Sequence, residues 1–245
     1  MTTVKRSVRL NRRLLTTSSF DSGALGPLVS LIHRAPAPGT YQAVVLRDGQ
    51  RAGTTCFRVT DDKAGTQLNI DLASVALRTG AATRCACREH PESAPAVSPQ
   101  GYVLFHVSRG AGGYAVVVGE AKEGSQAVFD SRALTDGDLF ALSFIVPATY
   151  AVTSPGGAGQ GEIQVAPIPP GTNLRAVSPV SVDASRDGFQ PARVTVHVGQ
   201  GVAFRIRSVT RIVIEKRSPA ASRRAAPLAP GARRILRRVR VRKLR

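Results

Sequence analysis

The chain has no tryptophan, one methionine (the first residue) and three cysteines, Cys56, Cys85 and Cys87. An odd number of cysteines cannot close into a complete disulfide framework. No apolar run approaches the roughly 20 residues that a membrane-crossing helix needs, so a helical membrane span is not expected. The N-terminus is basic, but no apolar stretch of the kind found in a secretory leader follows it. The expected location is therefore the cytoplasm, although the acid-free start with Thr16, Thr17, Ser18 and Ser19 also has the composition of an organellar presequence. Catalytic signatures are missing as well. There is no Gly-x-Ser-x-Gly, no Lys-Ser/Thr follows the glycine-rich 156–161, and His33, His90, His106 and His197 are scattered. Neither an enzyme nor a cofactor is expected.

Acidic residues are absent from both ends, and this divides the chain. Of the formal net charge of +18, five positive charges (Lys5, Arg6, Arg9, Arg12, Arg13) lie in residues 1–20 and twelve in residues 216–245, neither with an acid to offset them. Residues 21–215 are almost neutral. The C-terminal segment starts as a Ser/Pro/Ala-rich linker over 218–231 and ends in an arginine-rich run containing Arg233, Arg234, Arg237, Arg238, Arg240, Arg242, Lys243 and Arg245. Guanidinium forks bind phosphates bidentately, and several such contacts give salt-dependent, sequence-independent binding. An anionic partner is expected, nucleic acid ahead of a membrane surface. With no aromatic residue in the run, base stacking is not. The interleaved Ile235, Leu236, Val239, Val241 and Leu244 also suit addition of a strand to a partner's sheet edge.

Between the ends the pattern is β. Tyr41–Leu46 and Thr54–Thr60 flank Asp48-Gly49, a strong hairpin signal. Leu68, Ile70 and Leu72 alternate. Tyr102–Val107, Tyr114–Val118, Leu139–Val146 and Glu162–Ala166 continue the pattern. About a dozen short strands with turn signals between them predict an all-β fold of one or two antiparallel β-sandwich units with basic, extended termini. The expected segments are a basic arm (1–26), a β-rich unit (27–78), a linker or loop (79–100), a second sandwich (101–215) and the basic tail (216–245). Two stretches, Pro36–Val59 and Val146–Val165, each place Pro-x-Thr-Tyr before a strand, a glycine-containing loop and another strand, which suggests an internal repeat.

Gly188–Phe204, GFQPARVTVHVGQGVAF, reads as strand, glycine turn, strand. With the Pro-x-Thr-Tyr stretch it resembles the cupredoxin-like β-sandwiches. That resemblance implies a copper site of two His, one Cys and an axial Met. At the matching places this chain has Ser154 and the run Ser208-Val209-Thr210-Arg211-Ile212, so the resemblance implies the fold without the copper. The two stretches also occur in reverse order, as in a permuted sandwich or two tandem units. The best metal candidates are Cys85, Cys87 and His90, with Cys56 as a fourth ligand for Zn²⁺; a redox or disulfide role for the same cysteines is the alternative. The functional expectation is a non-enzymatic binding or assembly module whose basic tails contact an anionic partner. The rivals are a structural subunit of a homo-oligomer or filament, and a metal or redox protein.

Overall fold

The computed structural model describes residues 12–61, 64–79, 93–122, 124–157, 159–171 and 177–217. The described residues form two short helices and sixteen strands. In the first half these are α1 (Arg12–Thr16), β1 (Ser19–Asp21), β2 (Val29–Arg34), β3 (Gly39–Arg47), β4 (Gln50–Val59), β5 (Gly65–Asp71), α2 (Leu72–Thr79), β6 (Ala96–His106) and β7 (Tyr114–Glu120). In the second they are β8 (Ala127–Asp130), β9 (Leu139–Ser143), β10 (Ala148–Thr153), β11 (Gln160–Ala166), β12 (Val180–Ser185), β13 (Gly188–Gln190), β14 (Arg193–His197), β15 (Gly201–Ile206) and β16 (Val213–Lys216). The expected all-β sandwich is what forms.

One sheet has the order β1-β16-β10-β11-β14; the other runs β13-β12-β15-β9-β2-β6-β4-β3-β7-β8, with β5 on the free side of β6. Four pairings are parallel, β4 with β6, β5 with β6, β11 with β14 and β12 with β15, so both sheets are mixed. Asp48 and Gly49, at φ 51° and 79°, make the expected tight β3–β4 hairpin. The glycine turn after β14 does something else. β14 pairs with β11 in the smaller sheet, while β15 pairs with β12 and β9 in the larger one. Gly188–Phe204 is therefore a corner between layers, not a hairpin.

The architecture is a duplication. Phe20-Asp21-Ser22-Gly23-Ala24-Leu25 matches Phe129-Asp130-Ser131-Arg132-Ala133-Leu134, and the same offset of 109 residues carries Pro38, Thr40 and Tyr41 onto Pro147, Thr149 and Tyr150. Equivalent residues make equivalent bonds. The buried hydroxyl of Ser22 accepts the Ile212 N–H at 3.1 Å, as Ser131 accepts the Val116 N–H at 3.0 Å. Leu25 bridges to Tyr114 as Leu134 bridges to Thr210. The Tyr41 hydroxyl donates to the Ala37 carbonyl at 2.7 Å and the Tyr150 hydroxyl to the Val146 carbonyl at 3.1 Å, each four residues upstream. Burial raises both phenol pKa values, with the Glu120 charge adding to the effect at Tyr41.

The first strands of the two repeats are exchanged. β1 pairs with β16 of the second repeat, and β8 pairs with β7 of the first. Phe20 thereby packs on Phe144 and Tyr150 (ring centroids 5.3 and 6.2 Å), while Phe129 stacks on Phe105 at 5.6 Å. The repeats meet where β2 pairs antiparallel with β9, with Leu31 opposite its own equivalent Phe140. An approximate two-fold axis runs through that pair.

Candidate functional site

At the two-fold axis the repeats diverge chemically. On one side of Leu31–Phe140 the register places Val29 opposite Leu142. Their equivalents on the other side are His33 and Asp138. His33 Nδ1 donates to Asp138 Oδ1 at 2.7 Å, and Asp138, 1% exposed, also accepts the Thr135 N–H at 2.7 Å. The imidazole lies against Phe129 with centroids 4.4 Å apart. One oxygen of this buried carboxylate thus reaches across the joint to His33, and the other accepts from Thr135 in its own turn.

A second divergence lies beside α2. Asp71 ends β5 and caps α2: its carboxylate accepts the Ala73 N–H at 3.3 Å and the Ser74 hydroxyl. It also accepts the Ser108 N–H at 3.1 Å and the Ser108 hydroxyl at 2.7 Å. Burial alone would raise its pKa, but the bonds from Ser74 and Ser108 outweigh that and hold it at about 2. Next to it opens a cleft of about 320 Å³, lined by Thr55, Cys56, Leu68, Ser74, Val75 and Arg78 among others.

Cys56 is disulfide-bonded, and its partner lies outside the described residues. A disulfide sulfur is not a thiolate ligand, so Cys56 does not complete the expected Cys₃His zinc set. Cys85, Cys87 and His90 lie outside the described residues, as do Arg233, Arg234, Arg237, Arg238, Arg240, Arg242, Lys243 and Arg245. No three His, Cys, Asp or Glu side chains come together as a metal set among the described residues. The two places where a cupredoxin resemblance seeks its ligands do meet: Ser154 Oγ lies 2.5 Å from Thr210 Oγ1, both buried. Asp130 and Asp138 are engaged by Arg132 and His33.

Several acids of the folded body are held by arginines. Arg211 holds Asp21 through Nε at 2.8 Å and NH2 at 2.5 Å. Arg132 holds Asp130 at 2.9 and 2.6 Å. Arg205 and Arg207 share Asp183, and Arg217 reaches Glu162 at 2.6 Å. Among the described residues no helix is long and apolar enough to cross a membrane. Sequence reading missed the Phe-Asp-Ser signature and the His33–Asp138 pair. The signal for the first was the repeated hexapeptide; the second has none, because its partners are 105 residues apart. Comparisons with protein-family models, curated proteins and solved structures found no match.

Proposed function

We propose that the folded body is a non-enzymatic binding or assembly module and that its basic ends attach it to a nucleic acid through the phosphate backbone. The observation that carries this reading is the separation of charge. Asp21, Asp130 and Asp183 of the sandwich are taken up by arginines of the sandwich, whereas the seventeen basic residues of 1–20 and 216–245 have no acid in their own segments. Arginine at this density, with no acid in its own segment, favours a polyanion. A cupredoxin-like ancestry without copper accompanies this reading, supported by the Ser154–Thr210 pairing at the ligand positions. A cytoplasmic location remains part of the proposal; the Cys56 disulfide weighs against it, because disulfides persist chiefly in oxidising compartments.

A gel shift with generic duplex DNA tests the reading. The full chain is expected to retard the duplex, less so as salt rises, and deletion of 218–245 is expected to abolish most of the shift. Equal retardation by the deleted chain would dismiss the tail's role. The structural-subunit reading draws support from the strand exchange between repeats, an arrangement that could also operate between chains. Mass measurement in solution tests it, and a clean monomer at all concentrations would count against it.

A further inference from the structure

The larger sheet buries one face and leaves the other open. Side chains alternate along a strand. Val29, Leu31, Phe105 and Phe140 point into the core, so Ile32, Leu104 and Leu139 point outward. The register lines these three up across the central strands, Leu139 opposite Ile32 and Ile32 opposite Leu104, and Arg205 extends the row beyond Leu139. The adjacent row is mostly small: Ala203 lies opposite Ala141, Ala141 opposite Ser30, and Ser30 opposite His106. All eight Phe and three of the four Tyr are buried, whereas Tyr102, two residues before Leu104 on this face, is 46% exposed. Arg34, Gln67, Asn69 and Arg205 on the same face are exposed too, so no layer of the described chain covers it. A solvated sheet face ordinarily carries polar side chains. An apolar row across the middle, with arginines and amides around it, is the make-up of an interface.

We infer that a second copy of the chain docks on this face, sheet against sheet. The inference rests on the structural-subunit reading and gives it a surface; it does not depend on attachment to nucleic acid. Shape favours a second copy. A two-fold axis lying across the strands, between the two rows, sets the bulky row of each copy over the small row of the other. Leu139 of one copy then meets Ala141 of the other, and Ile32 meets Ser30, with the two sheets aligned as in a sandwich. Area favours it as well. The six strands from β12 to β5, about 4.8 Å apart, and three rows of side chains make a face on the order of 600 Å². Two such faces bury about 1,200 Å², the size at which specific interfaces begin. Nucleic acid suits the face less, because Asp71 and Asp183 lie on it and its middle is apolar.

Sedimentation equilibrium of the full chain, in about 0.3 M salt to screen the basic ends, provides the test. The chain is expected to dimerise. Ile32→Glu/Leu104→Glu and Ala141→Arg should each weaken the dimer at least about tenfold while keeping the circular-dichroism melt. Val128→Glu, at an exposed position on β8, should leave it unchanged. Nitration by tetranitromethane reads the same face without any substitution, and it decides where a substituted chain fails to fold. Tyr102 should be nitrated in the dilute monomer and protected in the dimer. If the dimer survives both face variants, or if Tyr102 is nitrated equally in monomer and dimer, the face is wrong and the subunit reading stands. A monomer at every concentration makes both wrong. An oligonucleotide that protects Tyr102 while the chain stays monomeric would assign the face to nucleic acid and overturn the inference.

Discussion

At the scale of single residues, the two repeats solve one problem in two ways. Asp21 and Asp130 are equivalent, and each first caps its own turn, accepting the N–H two residues on at 2.7 and 2.9 Å. Asp130 then takes its guanidinium from Arg132 in the same turn, whereas Asp21 takes it from Arg211, 190 residues away. Gly23 stands where the second repeat has Arg132, and a Cβ there would lie 2.8 Å from Arg211 Nε. Gly23→Arg alone should therefore crowd Arg211 and destabilise the fold by roughly 1–3 kcal/mol. Arg211→Ala alone should lose the ion pair. The double variant transplants the second repeat's arrangement and should be more stable than the Gly23→Arg single, with a favourable coupling of about 1 kcal/mol or more in a denaturant-melt cycle; additivity would refute the equivalence. Asp71 gives a pH-dependent expectation. Its folded pKa, about 2, lies below the ordinary carboxyl value. The stabilisation it provides is therefore complete above about pH 4 and is lost as pH falls through 2. Asp71→Ala should cost about 1 kcal/mol at neutral pH as a lost cap. It should also flatten the stability profile between pH 4 and 2, which urea melts across that window would reveal.

Among elements, the β2–β9 joint decides how the repeats are held. The apolar Val29–Leu142 pair shows what the symmetric joint would be, and His33–Asp138 is the departure from it. Removing one partner leaves a buried group uncompensated. His33→Leu should cost roughly 2–4 kcal/mol because Asp138 then keeps only its bonds from Thr135. The His33→Leu/Asp138→Val variant copies the other side of the axis and should be more stable than His33→Leu alone by thermal melt. A double variant less stable than that single would show that the pair cannot be treated as a substituted apolar contact. Much of this level was legible in sequence, because alternation marks strands with one buried face and Asp-Gly marks a hairpin. β3 and β4 were read that way. α2 was not: its eight residues follow directly on β5, and its capping Asp71 reads equally well as the end of a strand. The sheet partnership of β14 and β15 was illegible for a different reason. A glycine turn has the same composition whether the chain folds back within a sheet or crosses between layers, and distant partners decide which.

For the whole molecule, the reversed order of the cupredoxin-like stretches loses its oddity once the chain is seen as two repeats, because the Pro-x-Thr-Tyr stretch stands early in each. Half of that duplication was readable in Pro36–Val59 and Val146–Val165. The other half, Phe-Asp-Ser-x-Ala-Leu, sits at the start of each repeat and outside the windows where strand alternation draws the eye. What no sequence pattern conveys is the exchange, since β1 and β8 are equivalent strands and either could in principle complete either sheet. The exchange makes a crosswise prediction. Phe129, in the second half of the chain, packs into the first repeat against Phe105, and Phe20, near the N-terminus, packs into the second against Phe144 and Tyr150. Truncating a buried phenylalanine to alanine removes roughly 3–5 kcal/mol, and the loss is greatest in the unit whose core holds the ring. In native-state hydrogen exchange, Phe129→Ala should therefore lower amide protection most in β3 and β7, and Phe20→Ala most in β10 and β16. Were the strands not exchanged, the losses would follow the chain instead: Phe20→Ala would open β3 and β7, and Phe129→Ala would open β10 and β16.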